Sequence, residues 1–71
     1  MIDTLDANRV LMTMATQIKA ARKRAGLSQT ELADVAGLSR PTVARIEAGQ
    51  DVSWSSLTKV ADALGLHARL L

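Results

Sequence analysis

A chain of 71 residues has room for one hydrophobic core, and a domain of this size buries only about 60% of its unfolded surface. Hydrophobic residues at 48% and charged residues at 23% suit a folded domain rather than a disordered one. The absence of cysteine excludes disulfides, thiolate metal sites and cysteine nucleophiles, and a single histidine leaves no imidazole cluster. With one Trp and no Phe or Tyr, the stacking platforms common in single-strand and RNA binders are missing too. The net charge of +2 is distributed unevenly. Residues 18–45 carry Lys19, Arg22, Lys23, Arg24, Arg40 and Arg45 against Glu31 and Asp34, six minus two, a net +4. The flanking stretches are each a net −1: one basic minus two acidic over 1–17, two minus three over 46–71. An anionic partner would therefore be held by the middle of the chain. No apolar run approaches the ~20 residues of a membrane span. Asp3 and Asp6 stand where a secretory signal would carry Lys or Arg. The expected setting is cytoplasmic, with no membrane partner.

Gly26, Gly37, Gly49 and Gly65 each fall where a helical pattern stops, the place of a left-handed C-terminal cap. The first predicted helix runs from about Asp6 to Ala25, with Leu11, Met14, Ile18, Ala21 and Ala25 as its apolar stripe and Asp3 or Asp6 as its cap. Ser28-Gln29-Thr30-Glu31 is a capping box, which predicts a second helix from Gln29 to Ala36 facing inward through Leu32, Ala33 and Ala36. Ser39 caps a third helix, with Pro41 tolerated in its first turn, Val43 and Ile46 inward, and Gly49 at its end. Ser53 caps a fourth, whose stripe is Leu57, Val60, Ala61 and Leu64. Trp54, three residues before Leu57, falls on that stripe and is expected to pack, with a dimer contact or an indole N–H donor to a DNA backbone as alternatives. In the tail, Leu66, Ala68 and Leu70 alternate with His67 and Arg69. That pattern reads either as a short strand paired with a symmetry mate or as a frayed end.

Only Gly37, Leu38 and Ser39 join the second and third helices. So short a glycine-led turn predicts a sharp crossing of roughly 90–120°, with Ala33 at the close contact and Leu38 buried at the corner. The outer side of the third helix then presents Arg40, Thr42 and Arg45. Apolar behind and hydrogen-bonding in front is what a helix needs to enter a major groove.

The run Gln29-x-x-x-Ala33-x-x-x-Gly37-Leu38-Ser39-x-x-x-Val43-x-x-Ile46-Glu47 resembles the helix-turn-helix of the Cro/repressor (XRE) family. The likeness extends from about Ile18 to Leu66 and includes Ile46-Glu47-Ala48-Gly49 and Ala61-Asp62-Ala63-Leu64-Gly65-Leu66. It implies an all-α, compact, four- to five-helix, lambda-repressor-like domain, with the short C-terminal strand as an option. The expected organisation is one helix-turn-helix domain over residues 1–71, with an N-terminal extension 1–14, a helix-turn-helix core 28–48 and a tail 66–71. The family implies binding of double-stranded operator DNA, usually by a homodimer and usually to control transcription, most often as a repressor. Carried over to matching positions, Arg40, Pro41, Thr42 and Arg45 read bases. Arg45 is the foremost reader because a guanidinium grips guanine O6 and N7 together, and Pro41 offers an apolar face to a thymine methyl. Gln29, Ser39, Lys23, Arg24, Ser53 and Ser55 are the phosphate candidates, with Lys19 a further one. At matching positions the family forms a structural ion pair, which implies one between Arg22 and Glu47 and removes Arg22 from the contact set. Two such domains would read half-sites about 34 Å apart, and Val10, Leu11, Met12 and Met14 offer apolar surface for pairing.

A related expectation is an antitoxin similar to HipB-type proteins, which would bind a toxin protein and repress its own operon. The tail favours it and the absence of a long wrapping extension counts against it. An enzyme is not expected, since no glycine-rich phosphate loop and no carboxylate pair in an apolar setting is present. Nor is any metal or cofactor.

Overall fold

The structure is a computed structural model that describes residues 4–65. In order these form α1 (Thr4–Arg24), α2 (Gln29–Ala36), α3 (Arg40–Glu47) and α4 (Trp54–Ala63), all helical, as the resemblance implies. The proposed strand over 66–71 and a cap at Asp3 lie outside what is described, whereas Asp6 falls inside α1, which begins at Thr4 rather than near Asp6 and so is not capped there. No helix among the described residues is long and apolar enough to cross a membrane.

Each of α2, α3 and α4 starts from a hydroxyl. The Ser28 side chain accepts from the Glu31 N–H at 3.0 Å, while the Glu31 carboxylate accepts from the Ser28 N–H at 2.9 Å. Two orphan donors are thereby satisfied. The backbone N–H of Ser28, then its hydroxyl, hold the exposed Glu31 carboxyl below its ordinary range. Ser39 and Ser53 cap α3 and α4 by accepting from Thr42 N–H and Ser56 N–H. Pro41 occupies the second position of α3, where no helical N–H bond is forfeited.

The helix ends at Gly37 and Gly49 share one construction. At the first, Gly37 N–H bonds to Asp34 O (3.3 Å) and Leu38 N–H reaches back to Ala33 O (2.8 Å). At the second, Gly49 N–H bonds to Ile46 O and Gln50 N–H to Arg45 O, both at 3.1 Å. This doubled return bond requires a left-handed residue, and the φ angles are 72° and 75°. The two corners differ in the residue after the glycine. Leu38 tucks against the core, whereas Gln50 is exposed. Gly49 also lies under the sulfur of Met12, which a β-carbon there would overlap. Because that sulfur sits at the end of a flexible side chain, the left-handed backbone dominates the cost of substitution. Gly49→Ala should lose about 1–2 kcal/mol of stability, read as a lowered Tm by far-UV circular dichroism. Gly49→Asn should lose less, because asparagine tolerates this conformation. Equal losses would shift the cause to the Met12 contact.

Helix α2 packs across both α3 and α4, while α1 lies against α3. The core is Ile18 from α1, Leu32 and Ala33 from α2, Val43 and Ile46 from α3, and Leu57 and Val60 from α4. Leu32, Val43 and Val60 are wholly buried at its centre, and no polar residue is buried among the described residues. Two apolar expectations need correcting. Ala25 is exposed, because α1 ends at Arg24 and Ala25 already belongs to the turn; Ala15, one turn before Ile18, is buried instead. Trp54 is 73% exposed rather than packed. Its angular position matches the α4 stripe, but it is the first residue of the helix. Helical side chains lean toward the N-terminus, so at the first position of α4 the indole has no preceding turn to lie over and is left largely uncovered by the described residues.

Candidate nucleic-acid interface

The outer surface of α3 presents Arg40, Pro41 and Arg45 exposed, with Thr42 half-buried between them. The Ser39 and Thr42 hydroxyls lie 2.9 Å apart, so the cap and the first outward hydroxyl of α3 form one unit. Val43 and Ile46 on the opposite side are buried and fix how the helix is rotated. Its polar side is set by packing rather than by the polar residues themselves.

A solvent-open recess runs between α3 and the start of α4, lined by Thr42, Arg45, Asp51, Val52, Ser53 and Ser56. Residues named as base readers (Thr42, Arg45) and as a phosphate contact (Ser53) thus share one surface. The Ser53 hydroxyl caps α4 and also donates to the Ser56 hydroxyl at 2.9 Å, so hydroxyls cluster at the positive end of the α4 dipole, in the recess that Arg45 also lines. Ser55 is exposed but does not line the recess. Sequence reasoning passed over Asp51 and Ser56. Ser56 was findable as the third residue of a helix capped by Ser53. Asp51 carried no signal, because its place depends on how the corner at Gly49 folds back.

Behind this surface lies an ionic joint. Arg22 Nε is 2.6 Å from Glu47 Oε2 and Nη2 is 3.1 Å from Oε1, a two-pronged pair between the end of α1 and the end of α3. Their side chains are only 11% and 3% exposed. Arg22 Nη1 also donates to Leu27 O at 2.8 Å, tying down the turn before α2. Burial alone would push the Glu47 carboxyl up. Hydrogen bonds from Arg22 and Gln29, with the charges of Arg22 and Lys19, outweigh it and hold the carboxyl below its ordinary range. The same hydrogen bond raises Arg22 further above its already high value.

Gln29 is half-buried and its amide nitrogen donates to Glu47 Oε1 at 3.2 Å. The amide is therefore oriented by the ionic joint rather than loose on the surface, and its second N–H remains to be used. Lys19, Lys23 and Arg24 are exposed on α1 and do not line the recess. Among the described residues no group of three or more His, Cys, Asp or Glu is placed to hold a metal.

A helix-turn-helix family model (HTH_3) matches residues 18–71. Over 57 residues the chain is 46% identical to the immunity repressor protein of Bacillus phage phi105, covering 79% of this chain and 40% of that protein. Over 52 residues it is 38% identical to a protein of Archaeoglobus fulgidus whose name assigns it to HTH-type transcriptional regulation, covering 73% of this chain and 17% of that protein. The chain thus spans less than half the length of either relative. With the family model covering about three quarters of its residues, and α2 and α3 joined at the Gly37 corner, the chain belongs to the HTH_3 helix-turn-helix family, of the XRE type, and not to a family of enzymes.

Proposed function

We propose that this chain is the sequence-reading module of a transcriptional repressor, binding duplex DNA as a homodimer on a palindromic operator. One observation carries the reading: Arg45 stands exposed on α3, in a recess shared with Thr42 and the capped start of α4. The recess gives a base-reading guanidinium a neighbouring set of phosphate donors. Arg45 grips a guanine, Arg40 and Thr42 reach neighbouring base edges, and Pro41 meets a thymine methyl. Gln29 gives its second amide proton to a phosphate. Ser39, Ser53 and Ser55 add hydroxyls, and Lys23 and Arg24 add charge along the backbone. Arg22 and Glu47 hold the frame. Pairing of two copies is supported by Val10 and Met12, which are 57% and 53% exposed on α1, since large apolar side chains at a surface are the raw material of an interface.

The test is selection of bound duplexes from a randomised pool, followed by titration of the recovered duplex at several salt concentrations. A palindromic product and a steep salt slope are expected. Arg45→Ala should cost about 1–3 kcal/mol, roughly 5- to 150-fold in Kd, and flatten the preference at one base pair in each half-site. Recovery of no preferred sequence by the native protein would end the reading.

A further inference from the structure

Asp51 is the one acidic residue lining the recess that holds Arg45, Thr42 and Ser53, and nothing in the DNA-binding reading accounts for it. A carboxylate facing a phosphate backbone is repelled, so on electrostatic grounds alone it weakens binding. Its backbone is nevertheless held on both sides. Before it, Gln50 N–H bonds to the carbonyl of Arg45 itself at 3.1 Å. After it, Val52 packs against the hydrophobic core. The Asp51 side chain is exposed, and among the described residues no ion pair joins it to Arg45. Two exposed charges in water gain little by pairing and lose side-chain freedom when they do.

Docking on a duplex alters that balance. A guanidinium has five N–H donors, of which a guanine edge uses two, O6 and N7 being the acceptors. The remaining edge is left facing the recess, where water is displaced and the effective dielectric falls. A carboxylate within that recess is then a natural acceptor for it, and charge-assisted bonds of this kind carry geometric specificity as well as strength. We propose that Asp51 is a specificity-determining residue that positions Arg45. On a half-site with guanine at the right place, Arg45 bridges the base and the Asp51 carboxylate. On any other base Arg45 is drawn away, and Asp51 is left unneutralised beside the phosphates. Discrimination then comes from a penalty on the wrong sequence as much as from a bond to the right one.

This inference rests on the DNA-binding reading, and its test separates the two. The native chain, Asp51→Asn, Arg45→Ala and the double variant are each put through selection from a randomised duplex pool. Kd values are then measured on the duplex recovered with the native chain and on its single-base-pair variants. Because Asp51 is exposed, Asp51→Asn should leave the thermal melt unchanged, which circular dichroism checks. Asp51→Asn should flatten the preference at the same base pair that Arg45→Ala flattens, by about three- to tenfold, while binding to unselected duplex stays the same or tightens. The double variant should be no less selective there than Arg45→Ala alone, as coupled residues require. If Asp51→Asn changes affinity for every duplex by one common factor, Asp51 is a repulsive rim charge and the inference is overturned. Flattening at a different base pair overturns it as well. If the native chain selects nothing, the DNA-binding reading itself has failed.

Discussion

Arg22→Ala should cost about 3 kcal/mol of folding stability, the low end of the range for removing one partner of a buried ion pair, because this pair is part-buried. The cost comes less from the lost bonds than from what is left behind. Glu47, with its side chain 3% exposed, would keep its carboxylate without a counter-charge on its main donor side, and Leu27 O would lose its donor. A 71-residue domain holds on the order of 4–11 kcal/mol in total, so the variant should lose a large share of its margin at 25 °C. Urea titration followed by far-UV circular dichroism measures it. Replacing both partners by apolar residues, Arg22→Met with Glu47→Leu, should recover much of the loss, since no lone charge then remains buried.

The dependence on pH has a definite sign. The folded-state carboxyl of Glu47 lies below its unfolded value, so its contribution is fully present above the unfolded value and is lost as pH falls through the lowered one. In Arg22→Ala only Gln29 and Lys19 remain to favour the carboxylate against burial, so less stability is left to lose on acidification. Acidification should therefore narrow the gap between native and variant. A gap that widens toward acid would show that Arg22 acts through something other than Glu47.

Leu32→Ala is the second large effect, expected at about 2–5 kcal/mol. Leu32 is 0% exposed on α2, the helix that packs on both α3 and α4, so the space it vacates opens on two contacts together. Every other buried side chain of the core is aliphatic and no larger, so none of them can fill the space without opening another. Leu32→Met, which conserves volume, should lose under about 1.5 kcal/mol. The measurement is again the urea midpoint. A loss in Leu32→Ala no greater than in Leu32→Met would mean the helices had closed over the gap.

The sequence was most legible where one residue's local chemistry decides the outcome. Ser28 with Glu31, Ser39 and Ser53 marked where α2, α3 and α4 begin, because a hydroxyl two or three residues ahead of orphan N–H groups acts within a single turn. Gly37 and Gly49 marked the ends for an equally local reason. The outward placement of Arg45 came from Val43 and Ile46, which fix the rotation of α3 by being apolar. Legibility failed where the answer depended on what lies across from a residue. The stripe of α4 places Trp54 in line with Leu57 but does not show that packing stops short of the first residue, which is exposed. Asp51 reaches the recess only through the fold-back of Gln50 onto Arg45, a feature of three dimensions with no spacing to betray it. The bond from Gln29 to Glu47, across eighteen positions, was likewise out of reach of any helical pattern.

The bare indole at the head of α4 makes the molecule optically unusual. Its sole strong chromophore already sits in water, so tryptophan emission should barely register the melting of an interior that contains no ring. The same emission should respond when anything settles over Ser53 and its surroundings. Nature has left an intrinsic probe that is nearly blind to denaturation and sensitive to ligation, and a titration tracked by its quenching would report occupancy uncontaminated by unfolding.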